Sequence, residues 1–226
     1  MTKLIFWDVD TLYDFMRSDG KLYVPGSEEI IPAVKKLTDF AHANRIPIVA
    51  SADNHETSDA EISASPDWKI TFPPHCMRGT PGQRKIAETE LKNPLIIEPQ
   101  LQDSAALAHQ ILTHQGDILL HKRALDVFTN PNVPAVLRAL EPEAVVIYGV
   151  ATDFCDRYTV EGLLRSLPQA VLFLVTDAIR AIYHEEGERL IANWRDRGVR
   201  MVTVRQIVDE KVLESHLSLR PVAPTR

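Results

Sequence analysis

The chain has 226 residues, 45% of them hydrophobic, which is enough for one well-buried core and short for two domains. The formal net charge of -6 and the scattered basic residues argue against a nucleic-acid partner. Two cysteines exclude a disulfide framework, and no run reaches the roughly 18 apolar residues of a membrane helix. We therefore expect a cytoplasmic protein without a membrane partner. We expect one domain over residues 1–226, with a tail from about residue 216 that is loose or serves as an oligomer arm.

Short apolar runs alternate with amphipathic segments along most of the chain. The apolar runs predict strands at residues 3–9, 46–51, 94–98, 117–121, 144–150, 170–176 and 199–204. Helical spacing predicts helices at residues 27–43, 83–91, 104–114, 133–140 and 185–197, and another that begins between 152 and 155. This alternation is typical of an α/β fold. We expect a doubly wound, three-layer α/β/α arrangement around a mainly parallel sheet, with ligands bound outside the carboxyl ends of the strands.

Polar or reactive side chains stand where the predicted strands end, so the fold is expected to gather them on one edge. They are Asp8, Asp53, His55, Lys122, Cys155 and Asp177. Cys155 follows an apolar strand and begins a helix, in the stretch GVATDFC. A helix N-terminus favours a thiolate, and free N–H groups in the preceding turn can receive an oxyanion. Asp8 can serve as the base for this nucleophile and Lys122 as the cation, although such residues alone are more often an ordinary capping acid and a solvated charge.

A second polar group lies in the long aperiodic segment 53–82, a kind of segment that is usually functional or disordered. Its members are Asp53, His55, Glu61 and His75. Carboxylates and imidazoles suit a divalent metal ion such as Zn, Mn or Fe, with positions left for water or substrate. Glu61 is the weakest member, because Glu56 and Asp59 compete with it for the same role.

Together these residues resemble the isochorismatase-like cysteine hydrolases. The resemblance rests mainly on GVATDFC at residues 149–155 and on PPHC followed by GTPG at residues 73–82. The D-x-H motif at residues 53–55, followed by His75, points to the nicotinamidase branch. The first strand departs from the family pattern D-V-Q-x-D-F, because Asp10 replaces the glutamine and Asp14-Phe15 comes two residues later.

The resemblance implies a role for each of these positions. It implies a catalytic triad of Asp8, Lys122 and Cys155. It implies an oxyanion hole formed by the N–H groups of Ala151 and Cys155, after a cis peptide between Val150 and Ala151. It implies that Asp53, His55, Glu61 and His75 hold the metal, and that Phe15, Phe72 and Phe154 line the substrate pocket.

The activity implied is that of a metal-dependent cysteine amidohydrolase. We expect it to convert nicotinamide, or a similar small amide, to the carboxylic acid and ammonia through a thioester, and to form a homo-oligomer. One alternative is a hydrolase for another small amide or ureido compound. The other is a non-catalytic binding protein on the same scaffold.

Overall fold

A central sheet of seven parallel strands organises residues 4–217, the part of the chain that the computed structural model describes. The strands are β1 (Leu4–Val9), β2 (Ile48–Asp53), β3 (Leu95–Ile97), β4 (Ile118–Lys122), β5 (Ala144–Val150), β6 (Val171–Arg180) and β7 (Arg200–Val202). Their order in the sheet is β3-β4-β2-β1-β5-β6-β7. The direction of winding therefore reverses at β1, the position where doubly wound sheets bind ligands.

Helices cover both faces of this sheet, as predicted for a three-layer fold. They are α1 (Tyr13–Met16), α2 (Ser27–Ala43), α3 (Ser104–Thr113), α4 (Val133–Leu140), α5 (Cys155–Ser166), α6 (His184–Asp196) and α7 (Val204–Val208). The apolar side chains of α2 and α7 belong to one core cluster, and those of α3, α4, α5 and α6 belong to the other. No helix within residues 4–217 is long and apolar enough to cross a membrane.

Strand β1 lies between β2 and β5 and is buried along its whole length. Leu4 and Phe6 pack in the cluster with α2, whereas Ile5, Trp7 and Val9 pack in the cluster with α5. Because successive side chains of a strand point to opposite faces, Asp8 lies on the same face as Leu4 and Phe6. Cys155 packs in the opposite cluster, with Ile5, Trp7 and Val9. Asp8 therefore lies on the face of β1 that points away from the cluster of Cys155.

Three predicted elements differ from the structure. Segment 83–91 contains two short 3-10 turns, Pro81–Gln83 and Ala87–Thr89, instead of a helix. β6 continues to Arg180, so Asp177 lies inside the strand, where its carboxylate accepts the N–H of Val204. The strand predicted at residues 199–204 is shorter in the structure. β7 ends at Val202, because the side chain of Thr203 caps the short helix α7. The prediction of one domain over residues 1–226 stays a prediction, and most of its tail lies outside the described residues.

Candidate active site

The nucleophile candidate, Cys155, is the first residue of α5 and lies directly beyond the carboxyl end of β5. β5 approaches β1 closely at Gly149, where an added Cβ would lie 2.0 Å from the carbonyl oxygen of Val9. The next peptide bond, Val150–Ala151, is cis, as the resemblance implied. Within residues 4–217, the N–H groups of Ala151 and Cys155 donate no hydrogen bond. Two donors are therefore free beside the thiol.

Lys122 ends β4 and is the cation beside this thiol. Its Nζ lies 3.6 Å from Sγ of Cys155, 3.0 Å from Oδ2 of Asp10 and 2.5 Å from Oδ1 of Asp53. An oxygen of Asp10, an oxygen of Asp53 and Sγ of Cys155 all lie within 4.8 Å of one another. The ammonium group thus stands among two carboxylates and the sulfur, all of them buried.

The carboxylate that accompanies Lys122 and Cys155 belongs to Asp10, whereas the sequence led us to expect Asp8. Asp10 directly follows β1, where the chain turns with a φ of 46°. Its Oδ1 accepts a hydrogen bond of 2.7 Å from the hydroxyl of Ser51. The turn brings its side chain to the sheet edge where β4 and β5 end.

Asp8 lies elsewhere, in a buried polar cluster of its own. Its Oδ1 is 2.9 Å from Nζ of Lys85 and accepts a hydrogen bond of 2.8 Å from Thr11. Thr11 also accepts a bond from Lys85 and contacts Thr89. Asp8 therefore joins β1 to segment 85–89, and the structure does not bring it together with Lys122 and Cys155 as a triad.

One sequence signal pointed to Asp10. In the family pattern D-V-Q-x-D-F, the first aspartate comes four residues before the aspartate of D-F. Asp10 stands four residues before Asp14-Phe15, whereas Asp8 stands six residues before it. Spacing to Asp14 is a better guide than position on the strand, because Asp14 has a fixed partner: its Oδ2 accepts the N–H of Cys76, next to His75.

Burial controls the protonation of these groups. It raises the pKa of the Cys155 thiol well above its usual value, although the charge of Lys122 opposes this. Burial also raises the pKa of Asp10, again against the effect of Lys122. For Lys122, burial favours the neutral amine, but the charges of Asp10 and Asp53 outweigh it and raise the pKa well above its usual value. These shifts favour the thiol form of Cys155, which needs a base, whereas the helix N-terminus alone favours the thiolate.

The four residues predicted to hold a metal lie together beside Lys122. They are Asp53, His55, Glu61 and His75, all buried, with one ligand atom from each within 4.8 Å of the others. Nε2 of His55 lies 3.8 Å from Asp53 and 3.7 Å from Glu61. Nε2 of His75 lies 3.8 Å from Asp53 and 3.9 Å from Glu61. The contact atoms of both rings are thus turned toward the two carboxylates.

The chemistry of this group fits a divalent ion. Nε2 of His55 and Oε1 of Glu61 are buried without a hydrogen-bond partner within residues 4–217, which is costly unless a ligand satisfies them. The far nitrogens of both rings are held, since Nδ1 of His55 lies 3.2 Å from Asp59 and Nδ1 of His75 lies 2.8 Å from the carbonyl oxygen of Pro73. Burial lowers the pKa of His55, which favours the neutral ring that metals bind, and raises the pKa of Glu61 to about 7.

A narrow cavity that opens to solvent connects the two groups. Asp53, Glu61 and His75 line one part of it, and Ala151 and Cys155 line another. The remaining lining side chains are apolar: Phe15, Leu22, Val24, Phe72, Leu125, Val150, Phe154 and Ile182. The three phenylalanines predicted for the pocket are among them. Such a cavity suits a small, flat, largely apolar molecule with one reactive polar group.

Comparison with known proteins gives matches over most of the chain. The sequence model of the isochorismatase domain matches residues 2–206. A nicotinamidase/pyrazinamidase of Mycobacterium tuberculosis is 28% identical over 180 residues, which are 76% of this chain and 86% of that protein. The ureidoacrylate amidohydrolase RutB of Agrobacterium fabrum is 27% identical over 144 residues, 63% of this chain and 57% of that protein.

Solved structures share the fold. The pyrazinamidase of Pyrococcus horikoshii, in complex with zinc, superposes with a TM-score of 0.69 at 24% identity, over 89% of this chain and 99% of that chain. The N-carbamoylsarcosine amidase from Thermoplasma acidophilum gives a TM-score of 0.66 at 23% identity, over 89% of this chain and 96% of that chain.

The chain belongs to the isochorismatase family, whose domain spans nearly its whole length. Its curated relatives cleave amide bonds of small molecules, as their names state. Within the family, this protein is an amide-hydrolysing hydrolase.

Proposed function

We propose that this protein is a metal-dependent cysteine amidohydrolase of the nicotinamidase type, acting on nicotinamide or a similar small aromatic amide. The observation that carries the proposal is the shared cavity, which Cys155 and the metal-ligand candidates Asp53, Glu61 and His75 all line. A ring that enters this cavity between apolar walls has its amide beside the sulfur and its far side beside the metal group.

In the first half of the reaction, Asp10 takes the thiol proton while Sγ of Cys155 bonds to the amide carbonyl carbon. The N–H groups of Ala151 and Cys155 receive the developing oxyanion. When the C–N bond breaks, Asp10 gives its proton to the leaving nitrogen. Ammonia departs and a thioester with Cys155 remains. Lys122 keeps its positive charge and stabilises the negative charge that moves between Asp10 and the sulfur.

In the second half, Asp10 takes a proton from a water molecule that attacks the thioester carbonyl. The C–S bond breaks, the carboxylic acid leaves, and the sulfur recovers its proton from Asp10. The same residue thus acts as base and acid in both halves, which suits a carboxyl group whose pKa is raised by burial.

Asp53, His55, Glu61 and His75 are the residues that would hold the metal. A bound divalent ion would supply a Lewis acid that binds a lone pair of the substrate, such as a ring nitrogen. The solved pyrazinamidase of P. horikoshii is described in complex with zinc, which supports a metal of this kind. Zn, Mn and Fe all remain candidates. A cytoplasmic location and a homo-oligomer remain predictions.

A second candidate activity is supported by the relationship to the ureidoacrylate amidohydrolase of A. fabrum. A ureido substrate of that kind carries a carboxylate as well as the bond to be cleaved. Within the described part of the chain, the side chains that line the cavity include no lysine or arginine to receive a carboxylate. We therefore rank a neutral aromatic amide above it.

Ammonia release tests both candidates. Nicotinamide, ureidoacrylate and N-carbamoylsarcosine are each offered to the enzyme as purified, after chelation, and after reloading with Zn, Mn or Fe. We expect kcat/KM for nicotinamide to exceed that for both ureido compounds by about a hundredfold, because no lysine or arginine among the described residues lines the cavity to receive their carboxylate. Activity should vanish on chelation and return with metal. Preference for a ureido compound would overturn the substrate, and indifference to chelation would overturn the metal dependence.

A further inference from the structure

Asn54 lies between two of the proposed metal ligands, Asp53 and His55, and is almost fully buried, with 2% of its surface exposed. Its side chain uses both ends of its amide. Oδ1 accepts bonds of 3.1 Å from Nε of Arg78 and 2.8 Å from Nε2 of Gln83. Nδ2 donates a bond of 3.2 Å to Oε2 of Glu98. A buried asparagine with this many partners is held in one orientation.

The backbone of Asn54 is fixed as well. Its N–H donates a bond of 2.9 Å to the carbonyl oxygen of Lys122, the lysine beside Cys155. Strand β2 ends at Asp53, so this bond continues the pairing of β2 with β4 for one residue beyond the strand. The position of Asn54 therefore depends on the same strand that carries Lys122.

The partners of Oδ1 come from the segment that follows His75. Arg78 and Gln83 both belong to it, and its backbone pairs directly with His55, through bonds from His55 N–H to Cys76 O of 3.2 Å and from Arg78 N–H to His55 O of 2.9 Å. The side chain of Asn54 thus ties the segment that carries Asp53 and His55 to the segment that carries His75. Ligands from two distant segments must keep their mutual distances in order to bind one ion.

We propose that Asn54 is a positioning residue of the metal site, which holds Asp53, His55 and His75 in register for a divalent ion without contacting that ion. This inference rests on the proposed metal dependence. Residues that orient metal ligands typically contribute about 10- to 100-fold in metal affinity. Within residues 4–217, the hydrogen bonds of Asn54 include none to Cys155 or Asp10 that would give it a part in proton transfer.

The test compares Asn54→Leu, which keeps much of the shape and removes the side-chain hydrogen bonds, with Asn193→Leu, the same change at an exposed site on α6. Affinity for Zn and for Mn is measured by calorimetry on the metal-free proteins. Alkylation of Cys155 by iodoacetamide and the thermal unfolding midpoint are measured in the same samples. Gln83→Leu, which removes one partner of Oδ1 and leaves Asn54 in place, provides a milder second variant should Asn54→Leu fold poorly.

We expect Asn54→Leu to weaken metal binding by at least about tenfold, while Cys155 is alkylated at nearly the wild-type rate and excess metal restores kcat. Gln83→Leu should weaken binding less, in the same direction, and Asn193→Leu should not change it. Wild-type affinity in both Asn54→Leu and Gln83→Leu would overturn the role of Asn54 and leave the proposed function standing. A wild-type protein that binds no divalent ion would overturn this inference together with the metal dependence.

Discussion

Asp10 and Lys122 form the ion pair that borders the thiol of Cys155, with 3.0 Å between Oδ2 and Nζ. The two residues end up side by side because β1, β2 and β4 are neighbours in the sheet and all run in the same direction. Asp8, only two residues earlier, pairs with a different lysine, Lys85. The two aspartates therefore offer matched variants that separate catalysis from stability.

The first prediction compares Asp10→Asn with Asp8→Asn. Asp10→Asn should lower kcat by about a thousandfold, since the amide cannot take the proton of Cys155 or return it to the leaving nitrogen. Asp8→Asn should lower the thermal midpoint but retain most of the activity. Initial rates of ammonia release are measured well below the midpoint of each variant. If Asp8→Asn were inactive and Asp10→Asn active, the roles assigned here would be reversed.

The second prediction concerns the joint action of Asp10 and Cys155. Residues that act on one proton in one step give losses that do not add. The double variant Asp10→Asn with Cys155→Ala should be about as inactive as Cys155→Ala alone. The kcat/KM values of both single variants and the double variant decide this. Losses that multiply would mean that the two residues act independently.

The third prediction separates the metal from the nucleophile. His55→Ala or His75→Ala should remove most of the bound divalent ion and raise KM strongly, because each removes one of four ligands. Alkylation of Cys155 should continue at a similar rate, since Asp10 and Lys122 stay in place. Metal content by elemental analysis and alkylation by mass spectrometry are the two measurements. Loss of alkylation together with the metal would show that the two groups of residues are not separable.

The fourth prediction concerns the buried pair of Asp8 and Lys85, whose side chains are 0% and 8% exposed. Lys85→Met should destabilise the fold by about 3 kcal/mol, because it leaves a buried carboxylate without its cation. Asp8→Leu combined with Lys85→Met should recover most of this loss. Urea unfolding followed by fluorescence gives the three free energies. A double variant less stable than Lys85→Met would mean that the ion pair stabilises the fold by more than the free energy needed to desolvate its two charges.

Much of this site was predictable because it depends on local sequence. The stretch around Cys155 combines a buried strand with a helix start, and the D-x-H motif stands at the end of β2, so both follow from periodicity and spacing. Lys122 was predictable for the same reason, as the residue directly after the predicted apolar strand 117–121. The fold itself follows from the alternation of strands and helices.

Asp10 and Asp8 were harder to assign because their roles depend on distant partners. Both are acids near the end of one strand, and only the three-dimensional structure pairs Asp8 with Lys85, 77 positions away. The left-handed turn at Asp10, which brings its side chain to Lys122, has no marker such as glycine in the sequence. The thiolate expected for Cys155 is opposed for a related reason: the helix N-terminus is local, whereas the burial that raises the pKa of the thiol comes from the whole core.

Strand order has a consequence for partly folded forms of this protein. Asp10, Asp53, Lys122 and Cys155 stand at the ends of β1, β2, β4 and β5, which are the four adjacent strands β4-β2-β1-β5 inside the sheet. These strands are far apart along the chain, and none of the four residues reaches its neighbours until the strand that carries it has docked. The proposed mechanism therefore requires the assembled centre of the sheet, and we expect no turnover from a truncated or half-folded chain that lacks any one of these strands.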